Sequence, residues 1–191
     1  MSDRDEDNRN MGSDDGLKGQ LNLHSQLMRA KALEVDPLRL ACGWNEEDLE
    51  KPCVLVETVG GQSYPGNYHL QELATHVVRG VESAGGAPGR YECTDICDGI
   101  AQGTEGMYYS LASREIISFA VEIHFMAGHF DGIVLLSSAD KSVPAHLMTA
   151  ARLDRPTIIV PGGIMEVGPD NTTFEMVGAL YSKFRRGEIA R

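Results

Sequence analysis

Two stretches of this chain place acidic side chains where an apolar run ends. Asp98 follows the segment TDIC, and Asp140, with Lys141 directly behind it, follows LLSSA. Hard cations such as Mg²⁺ take oxygen ligands, and carboxylates from two neighbouring strand ends can converge on one ion. The same residues admit a plainer reading, in which Asp98 caps a loop and Asp140 pairs with Lys141. The frequency of aspartate in turns weighs toward that second reading, so the residue types alone leave both open.

Other chemistries find less support. Gly99, Gly103 and Gly106 fit neither GxGxxG nor a phosphate loop ending in Lys-Ser/Thr. His69, His76, His124, His129 and His146 show no HExxH or paired ligand spacing, which argues against zinc. Ser110 and Ser113 lack a GxSxG elbow. The four cysteines, Cys42, Cys53, Cys93 and Cys97, form no CxxC pair and read as buried small hydrophobes rather than a disulfide framework.

The elements that would position Asp98, Asp140 and Lys141 follow from a pattern that recurs four times. CVLVETV precedes HLQELATHVVRGVESAGG, whose Leu70, Leu73, Val77, Val78 and Val81 fall at helical spacing. RYECTDIC precedes SREIISFAVEIHFMAG, DGIVLLSS precedes PAHLMTAARL, and PTIIVPG precedes a weaker helix from about Thr173 to Phe184. Ser113 reads as the N-cap of the second helix with Glu115 in its first turn, and Pro144 suits the first turn of the third. Parallel strands need crossover connections, so this alternation predicts a three-layer α/β domain with a mainly parallel central sheet flanked by helices. Ligands bind beyond the carboxyl ends of such strands, where both aspartates are expected.

A hydrophobic share of 42% against 24% charged residues is ordinary globular composition, so the body is expected to fold. The net charge of -11 repels phosphate backbones and anionic membrane surfaces, which excludes nucleic acid and membrane as expected partners. There is no run of eighteen apolar residues and the first residues are acidic, so the expected location is the cytoplasm. Residues 1–20 are polar and aperiodic and read as a mobile acidic tail. Residues 21–43 read as a helical arm, loosely periodic through Leu21, Leu23, Leu27, Met28 and Leu33 until Pro37 interrupts it, and residues 44–191 as the α/β domain.

The ordered strings CDGIAQGTEGMYYSLASREIISFAVE and FDGIVLLSSADKSVPAHLMTAARLDRPTIIVPGGIM, with PGNYHLQELATHVVRGVESAGG before them, carry a resemblance. From about Trp44 to Arg191 the chain resembles the N-terminal domain of the dehydratases that include dihydroxy-acid dehydratase, 6-phosphogluconate dehydratase and the aldonate dehydratases. The resemblance implies Mg²⁺ held by Asp98, Asp140 and Lys141, the lysine as a carbamate and counted as catalytic. It implies a small hydroxy acid whose carboxylate and neighbouring hydroxyl lie on the metal; it leaves the residues that hold the rest of that acid undefined. An iron–sulfur cluster would assist departure of the hydroxyl, and a serine of a C-terminal domain would remove the α-proton to give a 2-oxo acid.

The chain departs from that pattern at the cluster. The family's cysteine positions fall here on Gly66 and Ala139, with a third beyond Arg191, so no iron–sulfur cluster is expected in this chain. Glycine at the first position occurs in some members, but the Ala139 methyl cannot ligate iron. The leading expectation is a half-enzyme in which a second chain carrying the C-terminal dehydratase domain completes a hydro-lyase site. A non-catalytic homologue that binds a sugar acid or pairs with a complete dehydratase is the next, and an enzyme using Mg²⁺ alone is the third. The apolar arm and the surface that a C-terminal domain would cover predict an oligomer.

Overall fold

A computed structural model describes residues 23–190. The tail expected over residues 1–20 lies outside them. Two short helices, α1 (His24–Lys31) and α2 (Val35–Ala41), precede the domain. Then follow β1 (Cys53–Thr58), α3 (Pro65–Tyr68), α4 (Leu70–Ser83), β2 (Ala87–Glu92), α5 (Asp98–Ala101) and α6 (Ser110–Ala127). The chain continues through β3 (Gly132–Ser137), α7 (Ser142–Leu153), β4 (Thr157–Pro161) and α8 (Phe174–Arg185). The four strands form one all-parallel sheet in the order β2-β1-β3-β4. The fold is the α/β class that the alternating pattern implies.

Register explains the core. Leu55 pairs with Ile133 and Val56 with Val134, so alternate residues of β1 and β3 send two apolar sets to opposite faces. Both faces are covered, as right-handed crossovers require: α4 packs over β1 and β2, while α6 and α7 lie together on the other side. Ile117, Val121 and Phe125 of α6, Ala145 of α7, and Leu70 and Ala74 of α4 complete the buried cluster. Outside it, β4 stays partly uncovered, with Ile158 exposed.

Two boundaries differ from the sequence reading. The second strand runs over Ala87–Glu92 rather than the expected 90–97, and CTDIC forms the loop after it. Pro88 is tolerated there because β2 lies at the sheet's edge, where a missing N–H breaks no ladder. Ser113 is not an N-cap: α6 begins at Ser110, and the buried Ser113 hydroxyl donates back to the Ser110 carbonyl at 2.7 Å. Pro144 does sit in the first turn of α7.

In the arm, Pro37 opens rather than stops a helix, since it stands in the first turn of α2, where its missing N–H costs nothing. The arm is tied to the amino edge of the sheet. Asp131, just before β3, accepts from the Ser25 amide at 2.9 Å, the Ser25 hydroxyl at 2.6 Å and the Cys53 amide at 2.8 Å. Arg39 of α2 donates to the Gly128 carbonyl at 2.6 Å and stacks 4.4 Å over the Trp44 ring. Asp131→Ala strips the carboxylate from all three donors. It should cost about 2 kcal/mol, read as a melting temperature lower by roughly 4–8 °C. An unchanged melting temperature would show that the arm is not anchored through this residue.

Candidate active site

The strand order places the change of chain direction between β1 and β3, which are neighbours while β2 and β4 lie outward. A crevice opens at that point beyond the carboxyl ends, because the flanking loops leave in opposite directions. Here it is a cleft of about 1220 Å³, lined by segments following all four strands, with Asp98, Ala139 and Asp140 among its walls.

A set of small polar side chains draws the loops together. The Ser138 hydroxyl, after β3, donates to the Asp95 carboxylate, after β2. Asp95 also accepts from the Ile96 amide at 2.8 Å, and its carbonyl accepts from Ser63, after β1, at 2.8 Å. Ser142 Oγ accepts from the Ser138 and Ala139 amides at 3.0 and 3.1 Å, folding the Ser138–Lys141 turn onto the start of α7. The fourth loop closes in through Gly163, where an added Cβ would stand 1.6 Å from the Ser138 carbonyl oxygen. Only glycine permits that approach. Three residues beyond Asp95 and two beyond Ser138, Asp98 and Asp140 are thereby carried to the same place.

Lys141 lies between them. Its Nζ donates to Asp98 Oδ2 and to Asp140 Oδ2, each at 2.7 Å, so the two carboxylate oxygens are no further apart than twice that distance. This is the ion pair of the plainer reading, with Asp98 drawn into it as a second acceptor. The Lys141 ammonium holds the Asp98 carboxyl below the usual carboxylate range, assisted by Ser110 and opposed by burial. Asp140 and Asp98 in turn raise the lysine's pKa. Asp98 Oδ1 is buried and, among the described residues, falls short of a hydrogen bond with the neighbouring Ser110 hydroxyl, whereas Asp140 is largely exposed. Among the described residues no three His, Cys, Asp or Glu side chains assemble as a metal site, so a third ligand from this cluster would have to be Lys141.

Gly66 and Ala139 also border this region. Ala139 lines the cleft, and a Cβ built on Gly66 would meet the Tyr64 ring at 2.5 Å and the Gly163 carbonyl oxygen at 2.8 Å. Two of the histidines have partners elsewhere. His124 Nδ1 meets Glu57 at 3.0 Å, and His146 Nδ1 meets Ser137 Oγ at 2.7 Å in the core. Burial lifts the Glu57 carboxyl above the usual range. Reasoning from sequence missed Asp95, Ser138 and Ser142. The available signal was weak: Asp95 follows the same strand as Asp98, and the serines flank Asp140 and Lys141.

Fold and site together define a parallel α/β domain whose carboxyl-edge cleft holds two carboxylates around one lysine. The chain belongs to the dihydroxy-acid/6-phosphogluconate dehydratase N-terminal family, whose model matches residues 51–191. It is 47% identical over 150 residues to a dihydroxy-acid dehydratase of Caldanaerobacter subterraneus subsp. tengcongensis, covering 75% of this chain and 27% of that protein. A dihydroxy-acid dehydratase of Halothermothrix orenii is 44% identical over 160 residues, covering 80% and 29%. One from Methanobrevibacter smithii is 42% identical over 176 residues, covering 88% and 30%. The chain therefore spans less than a third of the length of these relatives. No helix among the described residues is long and apolar enough to cross a membrane.

Proposed function

We propose that this chain forms part of a hydro-lyase site acting on a sugar acid or 2,3-dihydroxy acid to give a 2-oxo acid. Mg²⁺ is held by Asp98, Asp140 and a carbamate on Lys141, and a second chain bearing a C-terminal dehydratase domain supplies the remaining groups. The observation that carries this is the meeting of the three side chains in one cluster, with Asp98 and Asp140 lining the cleft. Two carboxylates within reach of one point fit a hard cation, and carbamylation turns the amine that now bridges them into an oxygen donor. When bound, the cation would neutralise the substrate carboxylate and polarise its neighbouring hydroxyl. The protein's own part is to fix the ligand oxygens. Asp95, Ser138 and Ser142 hold both loops, so the carboxylates need little rearrangement to close on an ion. Homo-oligomers or a partner chain would cover the apolar face of α8, where Phe174, Val177 and Tyr181 stand exposed.

An iron–sulfur cluster does not fit the two positions that the family resemblance assigns to it. Gly66 has no side chain and no room for one, and Ala139 presents a methyl group. Ala139 also favours a second reading, a non-catalytic homologue that binds a hydroxy acid or pairs with a complete dehydratase. The two separate in an assay of 2-oxo acid release from aldonates and 2,3-dihydroxy acids, run with the chain alone and with a co-purified partner. Turnover that needs both chains and disappears with Asp140→Asn supports the half-enzyme. Turnover by a partner alone, unchanged by adding this chain, supports the non-catalytic homologue.

A further inference from the structure

Helix α6 is apolar on the side that faces away from the sheet as well as on the side that packs against it. Ile117, Val121 and Phe125 point inward and are buried. On the opposite side Ile116, Phe119, Ile123 and Met126 follow one another at intervals of three, four and three residues, which sets them in one stripe. Each is more than half exposed, from 51% for Phe119 to 62% for Ile123. Ala112 and Ala127 extend the stripe, while Glu115 and Glu122 fall on its border toward α7. A surface helix normally turns a polar face outward, and a contiguous apolar patch in its place marks a contact surface.

The stripe is separate from the cleft. α6 starts at Ser110, which neighbours Asp98, and ends at Ala127 on the amino side of the sheet, where the Gly128 carbonyl accepts from Arg39. From Ile116 to Met126 the stripe covers about 15 Å of helix in that direction, so closing the cleft does not require covering it.

A second copy of this chain fits the surface. The intervals read the same from either end, so an antiparallel copy about a two-fold axis sets Phe119 opposite Ile123 and Ile116 opposite Met126. The net charge of -11 opposes self-association through charged surface, but the border here is balanced: Arg114 pairs with Glu115 at 2.6 Å and Arg152 with Glu122 at 3.3 Å. The area is sufficient. Four side chains of this size, each half exposed, present on the order of 400–500 Å² per copy. With Leu111, Ala112, Ala127 and Tyr91 beside them, two copies bury more than the roughly 1,000 Å² that a stable interface needs.

We propose that the outer face of α6 is a homodimer interface, in which two copies of this chain pack Ile116, Phe119, Ile123 and Met126 against each other antiparallel about a two-fold axis. Sedimentation equilibrium of the chain at micromolar concentration tests it. The wild type should be a dimer. Ile123→Lys, at the most exposed position of the stripe, should raise the dimer dissociation constant at least about 30-fold and keep the wild-type circular dichroism. Tyr181→Lys, on the exposed face of α8, should leave the dimer intact. A second readout does not depend on weakening the dimer: with the exposed Cys42 replaced by serine, Phe119→Cys combined with Ile123→Cys should form a disulfide between copies under mild oxidation. A monomeric wild type, an Ile123→Lys variant that dimerises as tightly as the wild type, or a cysteine variant that does not cross-link overturns the proposal. So does a stoichiometric partner chain whose binding Ile123→Lys abolishes, because the face then belongs to that partner.

Discussion

Between pH 6.5 and 4 the folded chain is expected to lose about 3 kcal/mol of stability through one side chain, His146. His146 is fully buried on α7, with Nδ1 against the Ser137 hydroxyl and Nε2 without a partner among the described residues. Burial pushes its pKa down from 6.5 to about 4, because the imidazolium would sit in a medium that solvates it poorly. A folded pKa below the unfolded one means that the unfolded chain binds the proton more readily. The stabilising contribution is therefore complete above pH 6.5 and drains away as the pH falls through about 4. The gap between the two values, at ~1.4 kcal/mol per pH unit, sets the size. Glu57 acts in the opposite sense: its raised folded pKa favours the protonated fold, so its contribution is complete below the unfolded carboxyl value and lost as the pH rises through the folded one. Urea midpoints from pH 7 to 4 should fall steeply for the wild type and much less for His146→Gln. Parallel slopes would show that another group carries the acid sensitivity.

The fold was largely legible in the sequence because burial on both faces makes parallel strands continuous apolar runs, and GIVLLS of β3 is buried at every position. Its strand order was not. Alternating units fix that crossovers are right-handed, but the side of β1 on which each later strand docks depends on contacts between distant segments. β2 was misplaced because Pro88 and Gly89 make a poor strand by propensity, while its edge position makes them acceptable.

The site was legible in the charged residues that end the apolar runs and not in the side chains that hold the loops together. Asp98 and Asp140 stand at the ends of apolar runs, where a charge is conspicuous, and Lys141 adjoins one of them. Asp95, Ser138 and Ser63 act through pairings between loops that lie tens of residues apart in the chain. No local spacing announces such pairings. Gly66 shows the same limit: as a residue type it says only that no thiol is present, whereas the structure adds that the Tyr64 ring and the Gly163 carbonyl leave no space for one.

Removing either carboxylate of the cluster should reduce divalent-cation affinity by more than about 100-fold, the upper end of what displaced metal ligands and their supports commonly cost. Each ligand's oxygen is useful only while the others are present, so the Asp98→Asn, Asp140→Asn double variant should be scarcely worse than either single one. Lys141 gives the sharper distinction, because its two possible roles have opposite signs. As an ammonium bridging Asp98 and Asp140 it competes with any cation for the same oxygens. As a carbamate it becomes a ligand itself. The decisive measurement is Mn²⁺ affinity, with bicarbonate present, of the wild-type chain against Lys141→Ala. If the three residues form one hard-oxygen site, the alanine variant binds Mn²⁺ far more weakly than the wild type. If it binds equally well or more tightly, Lys141 is only a competing counter-ion, and the shared metal site at Asp98, Asp140 and Lys141 is contradicted.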